Sequence, residues 1–240
     1  MNGKTLREDW EAHAERWITW ARAPGHDSYW RHHRDQFLLP PPGHCTVDIG
    51  CGEGRVSRDL KALGHRVIAV DGSPTLVAAA READPSMDIR LGDAAALPLA
   101  DGSADLAVAF MSLQDIDAMV AAIREAARVL VPGGKFCVAI VHPINSAGRF
   151  VDRTADAAFV IKGHYLSEFP YADTIERDGL TMTFSSRHLP LESYSIALEE
   201  AGFLIEALRE PRLPDHAVAS ESDRRWQRLP LFLHIRARRA

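Results

Sequence analysis

Apolar and polar positions follow two different periods along the chain. From about residue 45, short apolar runs typical of buried strands alternate with segments in which apolar residues recur every three or four positions, as on one face of a helix. The predicted strands lie at 45–49, 65–70, 87–91, 104–111 and 135–141. The predicted helices of the same stretch lie at 54–63, 74–84 and 117–130. This alternation predicts an α/β fold, a parallel sheet with helices on both faces.

The regular alternation stops after residue 143. Residues 144–188 combine mixed polarity with isolated aromatic side chains and show no sustained period, so we interpret them as an insertion between a strand and the next helix. Order then returns with one more helix and two more strands, at 190–201, 203–208 and 231–237.

The chain is therefore expected to form a single domain, residues 1–240, in four parts. These are an N-terminal helical cap, a core, an insertion and a C-terminal helix with two strands, at 1–40, 45–143, 144–188 and 189–240. The cap is rich in aromatic residues, namely Trp10, Trp17, Trp20, Tyr29 and Trp30.

Composition narrows the class of protein. With 46% hydrophobic residues among 240, the chain can form one good-sized core, and its formal net charge of −5 gives no reason to expect nucleic acid as a partner. The N-terminus is too charged for a signal peptide, and about 18 uncharged apolar residues never run together, so we expect a cytoplasmic protein without a membrane span. Cys45, Cys51 and Cys137 lack the spacing of a disulfide frame or a zinc site, and no metal is expected.

The stretch VDIGCGEGR, residues 47–55, follows the first predicted strand and opens a helix. Its alternate glycines allow backbone N–H groups to approach a ligand at a positive helix N-terminus. The dinucleotide fingerprint GxGxxG is not met, because Arg55 stands where the last glycine belongs, and Glu53 would place a carboxylate near a pyrophosphate. Both points argue against NAD and FAD. A tight strand-to-helix turn without a ligand is the alternative interpretation.

Acidic residues follow the next two predicted strands. Asp71 comes 19 residues after Gly52, where its carboxylate can accept hydrogen bonds from ribose hydroxyls. Asp93 lies beyond the third strand, where it can meet the exocyclic amine of an adenine. Either residue alone is typical of a cap or a turn. Glycines and two acids at three successive strand ends together indicate a nucleoside-binding edge.

With these motifs the sequence resembles the class I S-adenosylmethionine-dependent methyltransferases, in particular the small-molecule group called methyltransferase type 11. The resemblance is carried by VDIGCGEGR, VIAVDGSP, GDAAALP, DLAVAFMSLQDI and RVLVPGGKF, which occur in family order over about residues 45–141. It implies a Rossmann-like seven-stranded sheet whose last strand is antiparallel, and S-adenosylmethionine as the cofactor.

The resemblance also implies which residues bind that cofactor. The three glycines would flank its methionine part, Asp71 would hold the ribose, and Asp93 with Ala94 would address the adenine. Residues at the end of the fourth strand would border the adenosine, and Asp48 would lie near the cofactor's amino group. The implied set is Asp48, Gly50, Gly52, Gly54, Asp71, Gly72, Asp93, Ala94, Met111 and Ser112.

By the same resemblance, the insertion and the N-terminal helices would form the pocket for the methyl acceptor. Aromatic side chains can cover a cofactor, exclude water and lie against a cationic sulfonium. Trp17, Tyr29, Trp30 and Tyr165 are therefore candidate substrate-binding residues. The alternative is that these aromatic residues only anchor amphipathic helices on the body of the protein.

Two histidines are candidate catalytic residues. His142 follows the fifth strand, at the edge where open α/β sheets bind ligands, and is the leading candidate for the base that deprotonates an acceptor. His188 is the second candidate, and His13, Tyr29 and Tyr165 come after it. A capping or strand-terminating role is the alternative for His142.

We therefore expect a methyltransferase that acts on a small molecule by in-line transfer, with oxygen slightly preferred as the acceptor atom, as a monomer or homodimer. N- or C-methylation and a non-methylating S-adenosylmethionine-binding protein are the alternatives. Base-methylating relatives usually carry an Asn/Asp-Pro-Pro-aromatic motif after the fourth strand, where this chain has Met111-Ser112-Leu113-Gln114. That difference argues against a nucleic-acid substrate.

Overall fold

The computed structural model describes residues 4–26 and 29–240. Its strands β1 to β11 are, in chain order, Thr46–Ile49, Val67–Asp71, Asp88–Leu91, Ala104–Phe110, Leu130–Val141, Gly148–Phe150, Phe159–Ile161, Phe169–Arg177, Leu180–His188, Phe203–Arg209 and Phe232–Arg239. Its α-helices α1 to α8 are Leu6–Arg22, Tyr29–His33, Arg55–Ala62, Pro74–Ala83, Met119–Val129, Pro143–Ser146, Leu191–Glu200 and Glu221–Arg224.

The predicted seven-stranded sheet is confirmed. Its order is β10-β11-β5-β4-β1-β2-β3, and β1 to β5 pair in parallel wherever they are neighbours. The last strand, β11, is antiparallel to both β5 and β10. Because the five parallel strands point the same way, the segments that follow them meet at one edge of the sheet, where open α/β sheets bind ligands.

Helices cover both faces of the sheet, and each face has its own buried cluster. On one face, Ile123 of α5 and Leu198 of α7 pack over β4 and β5. On the other face, Leu60 of α3, Val77 of α4 and Trp30 of α2 pack over β2 and β4. This burial pattern explains why the core strands are apolar on both sides.

The insertion is more regular than the sequence suggested. After the short helix α6, it forms two antiparallel hairpins, β6–β7 and β8–β9. The strands β8 and β9 pair over nine positions around a turn at Asp178 and Gly179, both with positive φ. The Asp-Gly pair is a hairpin signal that analysis by helical period overlooks. Side chains along the β8–β9 hairpin alternate between two faces, and one of these faces is exposed to solvent. The mixed polarity of this segment therefore reflects an exposed hairpin.

The N-terminal cap is a long helix that lies across the binding edge of the sheet. Thr5 and Glu8 form a capping box that fixes the start of α1, and α1 packs mainly on α4 and β9. Backbone N–H groups of Leu6 and Arg7 donate to the carboxylate of Asp117, at 3.0 and 3.4 Å. Within the described ranges, no helix combines the length and apolarity that a bilayer crossing requires.

Candidate functional site

The glycine turn between β1 and α3 can be built only from bare backbone. Gly50, Gly52 and Gly54 all have positive φ, between 58° and 83°. A Cβ at Gly50 would lie 2.5 Å from Cβ of Ser112, and a Cβ at Gly52 would lie 3.3 Å from Nε1 of Trp17. The alternate glycines therefore allow the end of β4 and the helix α1 to approach the turn closely.

Asp48 lies beneath this turn. Its side chain is 1% exposed, and its Oδ2 accepts a hydrogen bond of 2.5 Å from the hydroxyl of Ser57 in α3. Burial raises its pKa to about 6, and the Ser57 bond acts in the opposite direction. In this structure Asp48 ties β1 to α3 below the backbone that a ligand would touch.

Glu53 does not project toward the binding edge, so that part of the argument against a dinucleotide was wrong. Its side chain is 2% exposed, and both carboxylate oxygens lie 3.0 Å from Nη2 of Arg58. Arg22 of α1 approaches the same carboxylate at 3.4 Å. Glu53 thus joins the turn to α3 and α1, and the alternate spacing of the glycines remains as the argument against the dinucleotide fingerprint.

Asp71 closes the turn from the neighbouring strand. Its Oδ2 accepts from the N–H of Gly52 at 2.7 Å, and its Oδ1 accepts from the N–H of Ser73 at 2.9 Å. Burial raises the pKa of Asp71, while these backbone bonds lower it. The carboxylate, predicted from its spacing alone, therefore lies directly beside the glycine turn.

Arg7 of α1 lies over the two segments that follow β2 and β3. A Cβ at Gly72 would lie 3.1 Å from Cδ of Arg7, and a guanidinium nitrogen of Arg7 lies 3.8 Å from a carboxylate oxygen of Asp93. Asp93 also accepts from the N–H of Ala95 at 2.8 Å, next to the half-buried Ala94. The two predicted adenine residues thus form a turn at the same edge, beneath the start of α1.

The end of β4 contributes the far wall of the turn. Met111 has a φ of 58°, unusual for a residue with a long side chain, and is partly exposed. Ser112 is buried, and its hydroxyl donates to the carbonyl of Ile49 at 2.6 Å. Ser112 therefore links β4 to β1, and Met111 is the residue of the pair that remains accessible.

An aromatic cluster holds α1 over the edge. The rings of Trp10, Trp17 and Trp20 meet Phe184 of β9 edge-on, with centroids 6.0–6.5 Å apart. The indole N–H of Trp10 also donates to the carbonyl of Ser185 at 3.0 Å. Of these indoles, Trp17 is the one that faces Gly52. The sequence identified Trp17 but not its partner Phe184.

Tyr29 and Trp30 have different environments. Trp30 is fully buried against Phe37 and Phe110, so the prediction that it lines the pocket is not supported by its position in the core. Tyr29 is partly exposed, stacks on Phe110, and makes a short hydrogen bond from its hydroxyl to Nε2 of His234. Burial lowers the pKa of His234 to about 4. The imidazole is therefore neutral, and its Nε2 accepts the hydrogen bond from the phenol hydroxyl.

His142 has both ring nitrogens engaged. Its Nδ1 accepts from the N–H of Ile144 at 3.1 Å, which caps α6, and its Nε2 donates to Oε1 of Glu210 at 3.0 Å. Burial lowers the pKa of His142, and Glu210 acts in the opposite direction. The geometry is that of the capping alternative, because the nitrogen lone pair points at the backbone of its own helix.

His188 is 0% exposed and is also engaged on both sides. Its Nε2 donates to the carbonyl of Tyr165 at 2.8 Å, its Nδ1 accepts from the hydroxyl of Ser146 at 2.7 Å, and its ring stacks on Phe169. Tyr165 lines a surface cavity of about 410 Å³ formed largely by α7, β10 and β11. These elements do not carry the glycine turn, so His188 and Tyr165 are not brought to it. The imidazole of His13 contacts the carbonyl of Asp9 in its own helix at 2.8 Å.

Sequence reasoning missed three polar residues, two beyond the end of β4 and one in β9. Gln114 and Asp115 lie in the 3₁₀ turn Leu113–Asp115, and the hydroxyl of Ser186 in β9 donates to Oδ1 of Asp115 at 2.6 Å. Burial raises the pKa of Asp115 to about 8. Both turn residues fall within the motif DLAVAFMSLQDI, but only the fold reveals that Ser186 faces them.

Comparison with known proteins points to one class. Residues 47–138 match a family model described as a methyltransferase domain. A demethylmenaquinone methyltransferase of Beutenbergia cavernae is 36% identical over 115 residues, or 48% of each chain. A probable S-adenosylmethionine-dependent methyltransferase of Mycolicibacterium smegmatis is 37% identical over 108 residues, which are 45% of this chain and 42% of that one.

Similarity of structure extends further along the chain than these sequence matches. The crystal structure of an S-adenosylmethionine-dependent methyltransferase from Mesorhizobium loti superposes with a TM-score of 0.70 at 28% identity, over 88% of this chain and 98% of that chain. By contrast, this chain spans about half the length of the curated relatives it matches. The sequence similarity covers the glycine turn and the strands that follow it.

Proposed function

Since the chain belongs to the class I S-adenosylmethionine-dependent methyltransferases, we propose that it binds this cofactor over the glycine turn and transfers the methyl group to a small molecule. The observation that carries the proposal is the contact between the turn and the second strand, where Asp71 accepts from the N–H of Gly52 at 2.7 Å. This contact supports the proposal, because a carboxylate suited to ribose hydroxyls lies beside the glycine turn that we assign to the amino-acid part of the same molecule.

The residues at this edge suit the cofactor's parts. Side chains at Gly50 or Gly52 would fill the space over the turn, so the glycines keep that space open, and the positive N-terminus of α3 is suited to a carboxylate. We assign the ribose to Asp71 and Gly72, and the adenine to Asp93 with Ala94. In this assignment Arg7 shifts from its place over Gly72 when the adenosine part binds.

When bound, the cofactor supplies a methyl group on a positively charged sulfur. The chain's own residues then hold the reactants in line and keep water away, which is most of what this displacement requires. Trp17 is suited to this role, because α1 places it over Gly52 and the ring of Phe184 holds it there. An indole face also stabilises a nearby cation.

The acceptor atom is the second part of the proposal. Oxygen was slightly preferred from the sequence, with His142 as its base, but the lone pair of His142 caps α6 in this structure. N-methylation has a specific observation in its favour, the partly buried carboxylate of Asp115 beyond the end of β4, which accepts from Ser186 and has no ion-pair partner among the described residues. The similarity to a demethylmenaquinone methyltransferase supports a small-molecule acceptor, and C-methylation stays as the remaining alternative. We propose a small-molecule acceptor, without nucleic acid and without a metal, for a monomer or homodimer.

Calorimetry with the full chain tests the donor half of this proposal. We expect S-adenosylmethionine and its demethylated product to bind, and failure of both to bind would contradict the cofactor assignment. Transfer of tritium from methyl-labelled cofactor to a panel of amines, phenols, carboxylic acids and quinols then tests the acceptor half. Tight cofactor binding with no transfer to any of them would favour the non-methylating alternative.

A further inference from the structure

The 3₁₀ turn after β4 holds an amide whose orientation is fixed. Gln114 is only 4% exposed, and its Nε2 donates to the carbonyl of Met111 at 2.8 Å. Reversing the amide would place two oxygens against each other, so the oxygen is identified by this bond. Its Oε1 is buried and has no hydrogen-bond partner among the described residues. Such a group is uncommon, because a buried polar atom without a partner is costly.

The neighbouring carboxylate is short of donors as well. The hydroxyl of Ser186 satisfies Oδ1 of Asp115 at 2.6 Å, whereas Oδ2 has only the amide of Gln114 at 3.5 Å. None of the ion pairs between described residues includes Asp115. The two oxygens with unused capacity, Oε1 of Gln114 and Oδ2 of Asp115, both accept hydrogen bonds and cannot both be satisfied by a single hydroxyl donor.

Aromatic groups surround this carboxylate from two further elements. Tyr171 of β8 is paired with Ser186 across the hairpin, and Tyr194 projects from α7. Burial raises the pKa of both phenols, and the charge of Asp115 raises each further. The charges of Asp173 and Glu168 also act on these phenols, on Tyr171 and Tyr194 respectively. Asp115 therefore lies among two phenols and two further acids, and none of these groups supplies a positive charge.

We propose, on the basis of the proposed function, that the methyl acceptor is a primary or secondary amine whose ammonium group binds to Asp115 and Gln114. An ammonium suits two acceptor oxygens and a partly buried acid, because it brings two or three N–H donors and a positive charge to pair with Asp115. Tyrosine rings add favourable faces for a cation. The position, one turn beyond Met111 at the end of β4, is adjacent to the donor residues.

An ammonium must lose a proton before its nitrogen can be methylated, and its contact with Asp115 gives that proton an acceptor. One N–H proton passes to Oδ2 of Asp115, and the freed nitrogen pair forms the N–CH₃ bond. The S–CH₃ bond breaks and its electron pair stays on sulfur, so charge and atoms balance. Asp115 then returns the proton to water. A carboxyl whose pKa burial raises to about 8 is suited to taking a proton near neutral pH.

A pair of nearly isosteric probes tests the site without knowledge of the natural acceptor. Benzylammonium and benzyl alcohol are titrated into the full chain saturated with the demethylated cofactor, near pH 7. We expect benzylammonium to bind at least about tenfold more tightly, which corresponds to one pKa unit of interaction. We also expect its binding enthalpy to depend on the buffer, because the ammonium displaces a proton from Asp115. Equal affinity for the two probes would overturn the proposal.

Asp115→Asn removes the charge and keeps an oxygen that Ser186 can bond. We expect this variant to lose the preference for benzylammonium and the buffer dependence, while Asp173→Asn, on the exposed strand next to β9, keeps both. Retention of the preference in Asp115→Asn would overturn the proposal. Cofactor binding is measured in the same samples, so loss of cofactor binding, which contradicts the proposed function, is distinguished from loss of amine binding alone.

Stability against pH shows whether Asp115→Asn is folded. The pKa of Asp115 is higher in the folded than in the unfolded chain, so the folded state binds more protons between about pH 4 and 8. The stability of the wild type therefore falls as pH rises through that window, and the variant lacks this contribution. We expect Asp115→Asn to have a melting temperature at or above that of the wild type near pH 9, which excludes unfolding as the cause of lost binding.

Discussion

The two sides of the binding edge are assembled from chain segments at very different separations. On the donor side, which comprises the glycine turn with Asp71 and Asp93, Gly52 bonds Asp71 across 19 residues. On the acceptor side, which comprises the 3₁₀ turn Leu113–Asp115 with β8 and β9, Asp115 meets Ser186 across 71 residues. The cover also depends on long-range pairing, since Trp10 meets Ser185 across 175 residues. A motif can encode the first arrangement, whereas the second exists only after the chain has folded.

This difference predicts a different tolerance of backbone change on the two sides. Gly50→Ala adds a Cβ 2.5 Å from Cβ of Ser112 at a residue with φ of 72°. Gly179→Ala, in the β8–β9 turn, has a similar φ of 77° but nothing within 4 Å. We expect Gly50→Ala to lower the free energy of unfolding by about 3 kcal/mol and Gly179→Ala by about 1 kcal/mol. Urea unfolding measures both, and equal losses would show that the close approach of β4 to the turn costs nothing.

Removal of a donor-side carboxylate should weaken cofactor binding. Asp71→Ala should weaken binding of S-adenosylmethionine by about 1.5–3 kcal/mol, the range for hydrogen bonds to a charged group. Asp173→Ala on the exposed β8 strand serves as the control and should leave the affinity unchanged. Calorimetry measures both affinities, and thermal unfolding reports whether the lost bonds to Gly52 and Ser73 alter the fold. Unchanged affinity in Asp71→Ala would remove this residue from the ribose role.

The aromatic cluster holds α1 against β9, so weakening its ring contacts should make α1 more mobile and leave the glycine turn and α3 unchanged. Phe184→Leu keeps an apolar side chain but loses three edge-on ring contacts, those with Trp10, Trp17 and Trp20. We expect local opening of α1 to become easier by about 1 kcal/mol, within the range for aromatic pairs. Hydrogen exchange should show faster exchange in α1 with little change in α3. An equal effect on both helices would mean that α1 is not held independently.

The succession of core strands and helices along the chain followed from local periodicity, and the resemblance implied the seven-stranded sheet. The short spacing of Gly52 and Asp71 let the sequence point to both residues. The β8–β9 hairpin was missed, since an exposed hairpin has no helical period and its apolar residues are partly open to solvent. Trp30 and Tyr29 are neighbours in sequence, yet one is fully buried and the other is not. Which of two adjacent aromatics enters a core is decided by partners distant in the chain, here Phe37 and Phe110 for Trp30.

Asp115 shows the same limit for a charged residue. An Asp after a strand is ordinarily a turn residue, and nothing in its neighbours along the chain distinguishes Asp115 from Asp117. The fold separates them, because Asp117 accepts from the N–H groups of Leu6 and Arg7, whereas Asp115 faces Ser186. Long-range packing, rather than spacing, therefore determines which acid accepts from backbone N–H groups and which one faces a hydroxyl.

His142 provides the smallest expected effect and the sharpest choice between a sequence-based role and a structural one. Asn is a strong N-cap, so His142→Asn keeps an acceptor for the N–H of Ile144 but cannot take a proton at neutral pH. We expect the free energy of unfolding to stay within about 0.5 kcal/mol of the wild type. Methyl transfer to an acceptor found in the panel should stay within about threefold, because the cap is preserved. A general base would instead contribute about 10²–10⁴-fold to the rate. A loss of that size with an unchanged melting temperature would return the base to His142 and leave Asp115 without its proton-accepting role.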